Sequence, residues 1–213
     1  MGMKMKRKGI FYILLVVFFA LFSNLQAAEP LPDTGQTKFY NNSVEISEPT
    51  LGAAFYGQDA HYTRERSYTK LDPNGNTLPV SVTTWYQVVD NVTGLIWEVK
   101  SDDGSVNDVD NLYSWDDAQS VFIDSLNFGS GYCGRTDWRL PTIKELLYLV
   151  DSGQGSPSID IVYFLQTKPQ NYWSSTTADF NTSSAWVVTF GSSTSGTLEK
   201  INSSWVRAVR SGQ

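Results

Sequence analysis

The chain has 213 residues, 41% of them hydrophobic and 14% aromatic, with 16 basic and 22 acidic side chains and a net charge of −6. That length buries one substantial core and is short for two. The acidic balance argues against nucleic acid and anionic membrane surfaces as partners, since both need a basic face.

Residues 1–28 read as a cleaved secretory signal: Lys4, Lys6, Arg7 and Lys8 form a basic start, Ile10 to Phe22 an apolar run, and Asn24 to Ala28 a small-residue cleavage region. The alternative is a membrane anchor, but a bilayer span takes roughly 20 apolar residues and this run is shorter. Cleavage leaves 12 basic and 22 acidic side chains, a net charge of −10, and no membrane span. The expected location is therefore the periplasm or the cell exterior. Residues 29–50, with Pro30, Pro32 and Pro49, read as an irregular lead or a short edge hairpin. The folded domain is expected over 51–213.

Two β-rich runs follow, one from Val80 through Trp85, Tyr86, Val88 and Val89, the other Leu95, Ile96, Trp97 and Val99. Asp90 to Gly94 supplies turn chemistry between them, so a hairpin is expected at the heart of a sheet. Next comes an acidic loop from Ser101 to Asn111. Ser114 with Asp117 three residues on predicts a capping box, and Trp115, Ala118, Val121, Phe122 and Leu126 make the apolar stripe of a first helix. Thr142 with Glu145 predicts a second capping box, with Ile143, Leu146, Leu147 and Val150 on one helical face. Beyond Ser152 the chain turns to Ser, Thr, Gly and Asn, with short aromatic strands expected at 186–190, 197–201 and 205–209 and a turn over 191–196.

The inventory of reactive groups is small. His61 is the sole histidine and Cys133 the sole cysteine, which removes most catalytic triads and every zinc site built from four Cys or two Cys and two His. No catalytic residues are therefore assigned. In the acidic loop Asp102, Asp103, Asp108 and Asp110 are candidate ligands for calcium, a hard cation that takes several oxygens. Their spacing is not that of an EF-hand, and a solvated loop serving the following helix is the competing reading. Asp137, Arg139 and Glu145, around Trp138, fit a structural ion pair or triad that fixes the turn. Of Arg207 and Arg210, one is expected to pair internally. Cys133 is either buried or free for an intermolecular bond. Most tryptophans suit a shared core. Trp173 is the exception, since it opens a polar stretch. Asn171, Trp173, Asp179, Asn181 and Ser193 are the candidate ligand-binding residues, because a ring beside small amides and hydroxyls suits a sugar or a peptide. An ordinary solvated loop over a structural Trp173 is the alternative.

The run Asp137-Trp138-Arg139-Leu140-Pro141-Thr142-Ile143-Lys144-Glu145-Leu146 resembles the bacterial Lcl C-terminal-domain family. Leu31 to Thr37, Tyr56 to Ala60, Asp90 to Trp97, Tyr172 to Thr176 and Val206 to Arg210 resemble its further signatures, in family order and from near residue 31 onward. The resemblance implies a fold similar to C-type lectins and formylglycine-generating enzymes, on exported proteins of which a few bind polyanionic glycans and most have no assigned activity. Relatives look as though they carry a cysteine where this chain has Ala208, so Cys133 has no intramolecular disulfide partner. The formylglycine reaction implies two cysteines and does not fit this chain, and the negative charge counts against polyanionic ligands.

These readings predict a single α+β domain, C-type-lectin-like, with two helices packed on short, mainly antiparallel sheets. The expected function is that of a non-catalytic binding module for a glycan or for an envelope or cell-surface protein. The alternatives are an assembly domain of an envelope complex, in which self-association is expected, and a divergent enzyme of the fold. No cofactor is expected other than the candidate calcium.

Overall fold

The computed structural model describes residues 34–61 and 65–212, so the segment read as a secretory signal lies outside the described residues. Strands β1 (Phe39–Tyr40) and β2 (Glu45–Ile46) form a two-residue ladder with Phe39 opposite Ile46, the short hairpin anticipated for the N-terminal lead. Strands β3 (Tyr68–Leu71) and β4 (Thr77–Leu78) form a second hairpin. Its turn is made by Asp72, whose Oδ1 accepts from the N–H groups of Asn74 and Asn76, both at 2.8 Å, and by Gly75 at φ 86°. A glycine takes that left-handed conformation without steric cost.

The hairpin expected around Asp90 is present as β5 (Gln87–Asp90) and β6 (Leu95–Glu98). Asp90 closes it by accepting from the backbone of Val92 and Thr93 and from the Thr93 hydroxyl at 2.7 Å. The preceding run is not all strand: Val82 N–H donates to Pro79 C=O, so 79–82 turns before the chain enters β5. With β10 (Val209–Ser211) these strands form an antiparallel sheet in the order β10-β6-β5-β3-β4, and the hairpin sits at its centre.

Both helices start where their caps predict. The second helix, Ile143–Tyr148, carries the full capping box, with the Thr142 hydroxyl accepting from Glu145 N–H and the Glu145 carboxylate accepting from Thr142 N–H. In the first helix, over residues 115–127, the Ser114 hydroxyl accepts from Asp117 N–H. The expected reciprocal arm is replaced, because the same hydroxyl donates to Asp117 Oδ2 at 2.6 Å. The middle of this helix, Ala118–Ile123, is wound as a π-helix. The wider turn shifts the buried stripe to Ala118, Phe122, Ile123 and Leu126 and leaves Val121 47% exposed, against the α-helical spacing that placed Val121 inside.

The C-terminal region forms β7 (Asn171–Ala178), β8 (Asn181–Thr189) and β9 (Thr194–Glu199), an antiparallel sheet in that order. This sheet is covered on both faces. Tyr172 and its cross-strand partner Val188 join Tyr68, Val88, Trp97, Leu146 and Leu149 in one core. Their neighbours Trp173 and Val187 point the other way into a second core with Phe122, Leu126, Trp138 and Ala208. Alternate side chains of a strand lie on opposite faces, so one pair of strands feeds both cores. The result is an α+β fold with two helices on short antiparallel sheets. Among the described residues no helix is long and apolar enough to cross a membrane.

Candidate functional site

A groove of about 350 Å³ lies between the strand-leading segment 83–86, the residues that follow β6, the acidic loop and the 165–166 turn. It is lined by the aromatic residues Trp85, Tyr86 and Tyr132, by the polar Thr83, Thr84, Ser101, Asn107 and Gln166, and by the charged Lys100 and Asp103. Tyr86 is 42% exposed. Its carbonyl is fixed from two sides, by Val99 N–H at 3.1 Å and by the Tyr132 hydroxyl at 2.9 Å. Burial raises the Tyr132 phenol well above its ordinary value, so it stays a protonated donor. Gln166 reaches the wall on a left-handed backbone at φ 63°, which few non-glycine residues adopt.

Three charged side chains are buried here, Lys100 in the groove wall and Glu98 and Arg207 outside its lining. Lys100 Nζ lies 3.2 Å from Glu98 Oε1 and 4.4 Å from the centre of the Phe122 ring. Arg207 donates to the Glu98 carbonyl and to the Thr167 hydroxyl, both at 2.9 Å. Burial lowers the Lys100 amine and Glu98 works to raise it.

The acidic loop is organised by its own backbone. Asp108 Oδ2 accepts from the N–H groups of Asp103 and Gly104, both at 2.7 Å, and its Oδ1 accepts from Asp110 N–H at 2.8 Å. These bonds, Asp110 N–H foremost, hold the Asp108 carboxyl below its ordinary value. The Ser105 and Ser101 hydroxyls do the same for Asp103. Of the four candidate metal ligands, Asp102, Asp108 and Asp110 bring carboxylate oxygens within 4.8 Å of one another, and Asp103 stands apart in the groove wall. Lys168 Nζ is 2.8 Å from Asp110 Oδ1.

The proposed triad around Trp138 resolves into two separate ion pairs. Arg139 grips Glu145 with both terminal nitrogens, at 2.8 and 2.7 Å, while Asp137 receives Arg210 Nε at 2.8 Å. Trp138, buried, donates from its indole to the Tyr132 carbonyl, so these four residues fix the turn. Of Arg207 and Arg210, Arg210 is the one in an ion pair, with Asp137, while Arg207 is held by the Glu98 carbonyl and the Thr167 hydroxyl. Burial works to raise the Glu145 carboxyl, but Arg139 and the Thr142 cap outweigh it and hold the group below its ordinary 4.5. A carboxyl depressed on folding stabilises the fold above its unfolded pKa, and that stabilisation is lost as pH falls through the folded value. Replacing Glu145 by Gln is expected to cost about 1 kcal/mol near pH 7. The variant and wild-type melting temperatures should converge in acid; a gap that persists at low pH overturns this assignment.

The residues expected to bind ligand do not converge. Trp173 is fully buried and its indole donates to the Tyr113 carbonyl at 2.9 Å, so it offers no ring to a ligand. Its polar neighbours are satisfied within the fold, as with the buried Ser174, whose hydroxyl donates to Trp186 C=O. The Asn171 side chain accepts from the Thr189 hydroxyl across the ladder. Asp179 and Asn181 are exposed at the β7–β8 turn, whereas Ser193 is exposed at the β8–β9 turn. The nine residues of β8 separate these turns by about 26 Å, at ~3.3 Å per residue, so they cannot form one site. The groove residues Thr83, Thr84, Tyr86, Tyr132 and Gln166 carry no spacing that would have singled them out.

The family model described as the Lcl C-terminal domain matches residues 86–210. The chain belongs to this family. No curated protein matches it. The matched span of this Lcl C-terminal domain begins at Tyr86 in the groove wall and ends at Arg210, the partner of Asp137. Residues 83–85 and the β3–β4 hairpin fall outside the match, although residues 83–85 line the groove.

Proposed function

We propose that the protein is an exported, non-catalytic binding module that takes a glycan from the bacterial envelope or a cell surface in the groove beside Tyr86. The groove itself carries this reading. It joins an exposed aromatic face to hydroxyls, amides and one carboxylate in a volume of about 350 Å³, room for one or two sugar rings. A sugar covers an aromatic face with its apolar C–H side and presents hydroxyls to side chains at the rim. Asp103 lies in the groove wall within the acidic loop, so calcium held by Asp102, Asp108 and Asp110 would act next to the ligand.

The test is a glycan array run on the purified protein in millimolar calcium and again with chelator. Tyr86→Ala should keep its melting temperature and lose about tenfold in affinity, the equivalent of ~1.4 kcal/mol. Saturable glycan binding that Tyr86→Ala leaves unchanged would exclude the groove. Chelator sensitivity would assign the three aspartates to calcium.

A second reading, assembly within an envelope complex, is favoured by one observation. Phe180 and Ile201 are 74% and 84% exposed near the same end of the C-terminal sheet, where Ser184 pairs with Glu199 and Lys200 N–H donates to Ser183 C=O. Phe180 packs edge-on against Trp186. A blank glycan array together with self-association that Phe180→Ser abolishes would favour this reading.

A further inference from the structure

The C-terminal sheet has two edges, and they are treated differently. Along β7 the segment around Trp205 lies alongside, with Trp173 N–H donating to Trp205 C=O at 2.9 Å and Trp205 N–H to Asn171 C=O at 3.2 Å. The β10 edge of the five-stranded sheet is closed in the same way at Val209, which exchanges two bonds of 2.9 Å with Arg139. The remaining short edges, β4 and the β1–β2 hairpin, run for two residues. Strand β9 is six residues long and pairs with β8 alone.

Two bonds fix which backbone groups of β9 face outward. Phe190 N–H donates to Gln170 C=O on the β7 side, and Lys200 N–H donates to Ser183 C=O on the β8 side. Alternate residues of an antiparallel ladder turn both backbone groups to the same neighbour, so Thr194, Gly196 and Leu198 face β8 and Ser195, Thr197 and Glu199 face away. The Glu199 carbonyl already accepts from Asn202 N–H at 2.9 Å. Among the described residues, nothing bonds the N–H and C=O groups of Ser195 and Thr197 on that side.

The strand does not protect this edge. Its exposed side chains are Thr194, Ser195, Thr197 and Glu199, without the Lys or Pro that commonly blocks pairing. Gly196 lies between the two open residues. A glycine inside a strand gives up packing and chain entropy, and nothing within this chain calls for it: its φ is not left-handed, and a Cβ there would meet nothing within 4 Å. Such a glycine marks a place where another backbone comes close.

We propose that β9 is the pairing edge for a second copy of this chain, antiparallel across a two-fold axis at Gly196, so that two three-stranded sheets join into one of six strands. Ser195 and Thr197 flank residue 196 symmetrically, so Ser195 of each copy faces Thr197 of the other. The four N–H···O=C bonds of these two pairs use all the open groups. Gly196 then faces its own counterpart in a non-hydrogen-bonded pair, the closest kind, with Cα atoms about 4.5 Å apart. A two-fold at Thr197 would instead need the Glu199 carbonyl, which Asn202 holds. With the axis at Gly196 the two Glu199 residues lie roughly 20 Å apart, at ~3.3 Å per residue, so their like charges are screened. Each copy offers one such edge, and pairing closes at a dimer. The edge shares no residue with the sugar groove or with the Phe180 and Ile201 patch.

The experiment is sedimentation of the purified protein across a range of concentrations. Wild type is expected to pass from monomer to dimer as concentration rises. Ser195→Lys with Thr197→Lys sets like charges opposite one another in both pairs and should weaken the dimer by about tenfold or more, with the melting temperature of the dilute monomer unchanged because both side chains are exposed. Ser195→Lys with Thr197→Glu sets opposite charges there and should restore it. The axis is tested by Gly196→Cys in a Cys133→Ser background. Facing cysteines at that Cα spacing fall within disulfide reach, so mild oxidation should give a covalent dimer, whereas Thr197→Cys in the same background places its two thiols two residues out of step and should not. A wild type that stays monomeric at every concentration overturns the proposal, as does a dimer that the lysine pair leaves intact. Cross-linking through Thr197→Cys in preference to Gly196→Cys overturns the axis. Self-association that Phe180→Ser abolishes and the lysine pair leaves unchanged belongs to the Phe180 patch and also overturns it. The glycan reading is tested separately, by Tyr86→Ala.

Discussion

Trp173→Ala is expected to destabilise the protein by roughly 3–5 kcal/mol, the cost of emptying a fully buried indole site. The ring has no exposed surface, packs with Phe122, Ala185, Val187 and Ala208, and loses its N–H bond to Tyr113 on truncation. Because β7 is covered on both faces, neither core can collapse into the space without disturbing the other. For a domain of this size the melting temperature should fall by roughly 10 °C. Phe180→Ala, at the exposed tip of the same hairpin, should stay within about 0.5 kcal/mol of wild type. Thermal melts of the two variants decide it. A Trp173→Ala protein that melts like wild type would put the ring at the surface and restore it as a ligand platform.

The residues legible in the sequence are those whose partners lie close along the chain. Thr142 and Glu145 are three positions apart, and Asp90 closes a turn with Val92 and Thr93, so composition and spacing locate both the second helix and the central hairpin. Asp72, Asn74 and Gly75 carry an equally local turn signal, and it marks the β3–β4 hairpin that the strand pattern alone leaves out. Burial is less legible where partners are distant. Trp173 stands before Ser174, Ser175 and Thr176, a polar context that suggests a surface loop. The strand is nevertheless interior, because Ser174 and Ser175 donate to the carbonyls of Trp186 and Pro141. The π-turn in the first helix shifts the buried face by a fraction of a turn, which a 3.6-residue period does not anticipate. The groove is not visible in sequence at all, because it is assembled from segments tens of residues apart, with Tyr86 meeting Tyr132.

The largest single-charge effect is expected at Glu98. It is the one anion among three buried charges, receiving Lys100 at 3.2 Å on one oxygen and Ala208 N–H at 3.3 Å on the other. Glu98→Gln leaves Lys100 and Arg207 buried together with only the weaker pull of Asp108 on Lys100 to offset them, and breaking such a set from one side costs about 3–5 kcal/mol. The two cations already oppose one another, since Arg207 acts to lower the Lys100 amine alongside burial. Lys100→Met in the Glu98→Gln background removes the stranded ammonium and keeps an apolar stem over Phe122. It should recover a large part of the loss, because a packed apolar side chain often replaces a buried charge at no net cost. Urea denaturation of the two single variants and the double variant closes the cycle. Additive losses would mean that Lys100 and Glu98 act independently. Recovery in the double variant would show that the loss comes from the stranded ammonium, which leaves the contribution of Lys100 to the groove wall to be read from binding. The double variant, if folded and stable, would then separate that contribution from stability: glycan affinity lost along with the charges would make Lys100 a positioning residue of the groove, and affinity retained would confine the pair to the core.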